Sequence, residues 1–107
     1  MMNLYEKIYS ILKEHWEDDA LEFFWTRDKT SSVEDVALTL FEDVEKGSAK
    51  AESAVGLLLW TYGNGIDDLN AAKQMVLSAY LKSSGLEKRR YRKELDQIEQ
   101  DINKNEQ

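Results

Sequence analysis

The chain has no cysteine and no proline. Without thiols there can be no disulfide framework, no zinc ribbon and no thiol nucleophile. Without proline, segment ends must be read from glycines and polar caps. Histidine occurs once, as His15, and no apolar run approaches the roughly 18 residues that a membrane-spanning helix needs. Nothing at the N-terminus reads as a signal peptide. β-branched runs with alternating polarity are missing, so a sheet is not expected. The one Asn-Gly pair, Asn64-Gly65, lies between two helical patterns and has neither the preceding strand nor the following lysine of a phosphate-binding loop. No Ser/His/Asp constellation stands out, and none of the many carboxylates is singled out as an acid or base. These absences describe a non-enzymatic protein with no cofactor and no metal, fitting a reducing, cytoplasmic compartment.

What is present is enough for one core. The 107 residues leave room for a single domain, and 42% of them are hydrophobic, with three Trp, five Tyr and three Phe. The expected architecture is all-α: one compact bundle of five or six helices over residues 1–103, with a frayed polar tail at 104–107. Asn3 followed by Glu6 reads as a helix start, and Leu4, Ile8, Ile11 and Leu12 recur at helical spacing to about Trp16. A short second helix is expected from Asp18 or Asp19 through Leu21, Phe23, Phe24 and Trp25. A polar loop then covers residues 27–32. Ser32 with Asp35 resembles a capping box, Gly47 supplies the stop, and Val33, Val36, Ala37, Leu40, Phe41 and Val44 form an unbroken apolar stripe between them.

The next helix, residues 49–62, carries Ala54, Val55, Leu57, Leu58, Leu59 and Trp60 all round its axis, which predicts a central position in the bundle. Another is expected to be capped by Asp67 or Asp68 and ended by Gly85. The last runs from Leu86 to Asn103, with Tyr91, Leu95, Ile98 and Ile102 in a narrow seam. Such a seam suits docking on the bundle or a homodimer contact.

Charge is unevenly distributed. The whole chain carries −7, yet residues 14–45 alone hold eleven acidic side chains against Arg27 and Lys29, a local −9. A field of that sign repels nucleic acid and attracts basic partners. On the helix after Ser32, the side chains of Glu34, Asp35, Glu42 and Glu45 fall within an arc of about 100°, and Leu38 falls inside it. An apolar residue ringed by acids is what an inhibitor of a basic protein would present, the charges steering encounter and the apolar centre slowing release. Glu17, Asp18, Asp19 and Glu22 would add steering, and Trp25 an aromatic anchor. His15, Asp18, Asp19 and Glu22 share a helix face at i, i+3, i+4 and i+7, but no ligand from a second element accompanies them.

The opposite charge is concentrated in Lys88, Arg89, Arg90, Arg92 and Lys93. These five are read as spread around nearly the whole helix, with Arg90–Glu94 and Arg92–Asp96 able to pair. That spread, with the overall −7, argues against specific DNA binding.

Two resemblances complete the reading. Residues 51–85, AESAVGLLLWTYGNGIDDLNAAKQMVLSAYLKSSG, resemble one unit of the Sel1-like and tetratricopeptide helical repeats, with Tyr62-Gly63-Asn64-Gly65-Ile66 at the turn. A generic α-hairpin accounts for the same residues. In overall character the small, acidic, cysteine-free chain is similar to bacterial immunity proteins. That resemblance implies a one-to-one complex with a basic toxin domain, such as a nuclease, through the acidic surface. The alternative is an adaptor or scaffold that binds a peptide or helix in a groove near Trp60 and Tyr62.

Overall fold

A computed structural model describes residues 3–19, 21 and 31–105. They form a single all-α bundle of five helices: α1 (Leu4–Glu14), α2 (Val33–Glu45), α3 (Ala49–Tyr62), α4 (Gly65–Leu81) and α5 (Gly85–Asn105). No strand occurs among the described residues.

Three helix starts are set by side-chain caps. Asn3 accepts from the Glu6 N–H at 2.8 Å, Ser32 from Asp35 at 3.1 Å and Ser48 from Ala51 at 3.2 Å. Each satisfies a donor that the first helical turn leaves without a backbone partner. Helix α1 ends at Glu14, short of Trp16, because His15 takes the C-cap position and donates its N–H to the Ile11 carbonyl. Helix α2 stops before Gly47, whose φ of +85° suits a residue without a Cβ.

Three expected boundaries are corrected. Helix α4 begins at Gly65, ahead of Asp67 and Asp68, and Asn64 at its N-cap makes no side-chain cap bond. Asp68 instead reaches back to accept the Asn64 N–H at 2.7 Å. Gly85 does not end α4, which stops at Leu81; with φ +63° it opens α5. The Ser83 hydroxyl caps the end of α4 by donating to the Ala79 carbonyl at 2.7 Å. At the other end α5 continues through Asn105, so Lys104 and Asn105 are helical rather than frayed.

Helix α3 is central, as its all-round apolarity predicts. Ala51, Ala54, Val55, Leu58 and Leu59 are buried, together with Glu52, Ser53 and Gly56. It packs on α1, α2 and α4. At Gly56 the α4 helix comes so close that an added Cβ would stand 2.7 Å from Val76 and 3.1 Å from the Ala72 carbonyl. The seam of α5, with Tyr91, Leu95, Ile98 and Ile102, is buried against the rest of the chain. It is therefore committed to this bundle's own core.

Polar groups inside the bundle are paired across helices. Glu52 of α3 faces the Lys82 ammonium at 2.6 Å and accepts from the Ser78 hydroxyl at 2.5 Å, while Lys82 also donates to the Gly47 carbonyl at 3.1 Å. One lysine thus ties the end of α4 to α3 and to the α2–α3 turn. Ser53 donates to Glu94 at 3.0 Å, and the Trp60 indole N–H donates to Asp101 at 2.5 Å. Lys7 of α1 pairs with the buried Asp68 of α4. Such pairing is what makes these buried polar atoms tolerable.

Candidate functional site

The acidic face is built by α2. Its inner side buries Val36, Ala37 and Leu40, with Val33, Phe41 and Val44 partly covered. That burial turns the opposite side to solvent: Glu34, Asp35, Leu38, Glu42 and Glu45 are all exposed. Leu38 keeps 46% of its surface in water. Among the described residues, Asp35, Glu42 and Glu45 make no ion pair, so their charges are available to a partner.

Glu34 differs from its neighbours. The Tyr9 hydroxyl of α1 donates to its carboxylate at 3.2 Å. Its own backbone N–H, then Tyr9, with smaller help from Ser32 and the Lys13 charge, hold its carboxyl below the usual range. It remains charged, but it is anchored to α1. Tyr9 in turn stacks with Tyr5, which meets Phe41 of α2 edge-on at 6.0 Å. This aromatic seam joins α1 to α2.

The remaining sequence-selected residues are placed less favourably. Glu17, Asp18 and Asp19 are exposed just beyond α1. Asp18 accepts from the Tyr62 hydroxyl at 2.9 Å, and His15 stacks on the Tyr62 ring at 4.1 Å. Burial, followed by the bond to the Asp18 carboxylate, pushes the Tyr62 phenol up. Asp18 and His15 therefore hold the end of α1 against α3. Glu22 and Trp25, like Phe23 and Phe24, lie outside the described residues.

The apolar groove expected near Trp60 and Tyr62 does not take that form. Trp60 is held by Asp101 and packs against the core. Tyr62 borders a cleft of about 210 Å³, but its neighbours there include Lys7, Glu14, Asn64 and Asp68. The Lys7–Asp68 pair occupies one wall, so the cleft is polar.

The basic run on α5 is also rearranged relative to the sequence reading. Arg90 pairs with Glu94 at 3.5 Å and Arg92 with Asp96 at 3.3 Å, as the spacing predicts. The expected all-round spread is corrected, however. Lys88, Arg89, Arg92 and Lys93 line one open cleft of about 590 Å³ beside Tyr80 of α4. At 3.6 residues per turn these four fall within about 140° of arc, and only Arg90 points away. Leu81 and Leu86, 67% and 81% exposed, flank the turn that carries this cleft. Nothing in the local pattern of α5 marks Tyr80, which comes from the preceding helix.

No helix among the described residues is long and apolar enough to cross a membrane. No protein-family model matches the chain, and neither a curated protein nor a solved structure matches it.

Proposed function

We propose that the protein is a non-enzymatic binding module whose acidic α2 face captures a basic protein partner, in the manner of an immunity or antitoxin protein that neutralises a toxin domain. The observation that carries this reading is Leu38: an apolar side chain 46% exposed and flanked on its own helix by the exposed Glu34, Glu42 and Glu45. Exposed leucines are common singly. This one sits where long-range attraction and short-range apolar contact would act on the same partner. Acidic groups raise the encounter rate and set the salt dependence, while a desolvated apolar anchor governs dissociation. Glu17 and Asp19 extend the field beyond α1, in a cytoplasmic setting consistent with the cysteine-free composition. A nuclease is the favoured target, because an active site that grips nucleic acid is itself basic.

The test compares the wild-type chain with a Glu34→Lys, Glu42→Lys, Glu45→Lys variant and a Leu38→Ser variant as baits in lysate of the source cell, at low and high salt. The expected result is one basic protein held by the wild type, released as salt rises and lost with the charge-reversed bait. With that partner purified, Leu38→Ser should weaken binding by about tenfold, chiefly through faster dissociation. Equal affinity and equal salt dependence for the wild type and the charge-reversed variant would sink the reading.

A further inference from the structure

We infer that the cleft between α4 and the first half of α5 is a binding site for a small phosphorylated ligand of nucleotide size. Its lining takes no residue from the acidic face, and it does not depend on the reading given for that face.

The first reason is charge. Four cationic side chains, Lys88, Arg89, Arg92 and Lys93, converge on one cleft in a chain whose total charge is −7. Arg92 is paired with Asp96, but among the described residues Lys88, Arg89 and Lys93 have no carboxylate within ion-pair distance. The nearest acid in sequence, Glu87, lies about 100° from Lys88 around the helix and is not part of the lining. Asp96, one turn further along α5, pairs with Arg92, but no acidic side chain lines the cleft itself. The four cations are gathered on one wall.

The second reason is shape. A volume of about 590 Å³ falls within the range of ordinary small-ligand sites, roughly 300–1,000 Å³. The Tyr80 ring lies against the cationic wall, with the Lys88 ammonium 4.7 Å and the Arg92 guanidinium 5.9 Å from its centre. These contacts hold two of the four cations in place before any ligand arrives. Gly85 completes the lining at the positive end of the α5 dipole.

The third reason concerns ligand size. Lysine and arginine together match the point charge and the planar fork that phosphoryl oxygens accept. The cleft's volume accommodates a compact anion rather than the run of phosphates that a polymer presents.

The experiment is an NMR titration of the 15N-labelled full chain with sodium pyrophosphate and separately with ADP, against acetate at matched ionic strength. The expected result is saturable shifts confined to Tyr80 and residues 85–93 with both phosphates and none with acetate. Arg89→Ala with Lys93→Ala, both exposed and outside the core, should weaken binding about tenfold while leaving the remaining amide spectrum unchanged. Tighter binding of ADP than of pyrophosphate assigns the nucleoside to the cleft, and equal binding assigns the diphosphate alone; both support the site. Shifts scattered over every lysine and arginine, or an unchanged affinity in the double variant, would overturn it. A single-stranded oligonucleotide that outcompetes ADP would overturn the small-ligand assignment.

Discussion

The indole N–H of Trp60 and the carboxylate of Asp101, forty-one residues apart, meet at 2.5 Å. Ser53 and Glu94 are separated by the same forty-one residues and meet at 3.0 Å. Equal separation means that α3 and α5 run in the same direction, in register over seven residues, or two helical turns. Replacing Asp101 with alanine leaves a partly buried N–H without its acceptor. The expected loss is about 1–3 kcal/mol of unfolding free energy, read as a lower urea midpoint.

Two carboxylates should give the stability profile opposite slopes in acid. Burial pushes the Asp68 carboxyl up, but the Lys7 hydrogen bond and charge, with the Asn64 N–H, pull it below its ordinary value of 3.8. Its contribution is therefore complete above that value and disappears as pH falls through the lower folded pKa. Glu94 behaves the other way. Burial outweighs its bond from Ser53 and the Arg90 charge and holds it above 4.5. The folded state then keeps a proton that the unfolded chain has released, so stability declines as pH rises from 4.5 to the folded pKa. Urea titrations across this range should show Lys7→Met moving acid unfolding to higher pH. Glu94→Gln should remove the decline, so a Glu94→Gln profile identical to that of the wild type would refute this assignment.

Gly56→Ala tests the α3–α4 crossing. In an exposed helix that change gains about 1 kcal/mol. Here the new methyl would meet Val76 at 2.7 Å and Met75 at 3.3 Å, and the Ala72 carbonyl cannot withdraw without moving α4. The net expectation is a destabilisation of about 1–3 kcal/mol, measured by thermal or urea unfolding.

Leu38 and Leu40, two residues apart on α2, should separate recognition from folding. Leu40 is fully buried, and Leu40→Ala is expected to cost about 2–5 kcal/mol. Leu38→Ser should change stability by less than about 0.5 kcal/mol while still weakening capture of the partner. A Leu38→Ser chain that unfolds as readily as Leu40→Ala would show that Leu38 serves the core.

Local features of the fold were legible because they obey local rules. The Asn3 and Ser32 caps, the α2 stripe and the encircling apolarity of α3 follow from spacings of three and four residues. Glycine was the ambiguous sign: a left-handed residue can close one helix or open the next, and Gly85 opens α5. The links Lys7–Asp68, Glu52–Lys82 and Trp60–Asp101 span distant segments, and no periodicity within a helix encodes them. At the candidate sites, the exposure of Leu38 could be read from the angular arrangement of its own helix. The shared face of Lys88, Arg89, Arg92 and Lys93 also follows from helical spacing, but the Tyr80 wall of their cleft belongs to α4 and no spacing within α5 marks it.

Helix α2 divides its labour cleanly, with Val36, Ala37 and Leu40 facing inward and Glu34, Asp35, Leu38, Glu42 and Glu45 facing water. Glu34 also holds Tyr9 of α1, but changes at the other four outer positions leave the inner ones untouched, so this helix can acquire a new recognition pattern without unfolding the chain. A library randomised at Asp35, Leu38, Glu42 and Glu45 should consist largely of folded proteins, and selection from it would yield altered partner preference on an unaltered bundle.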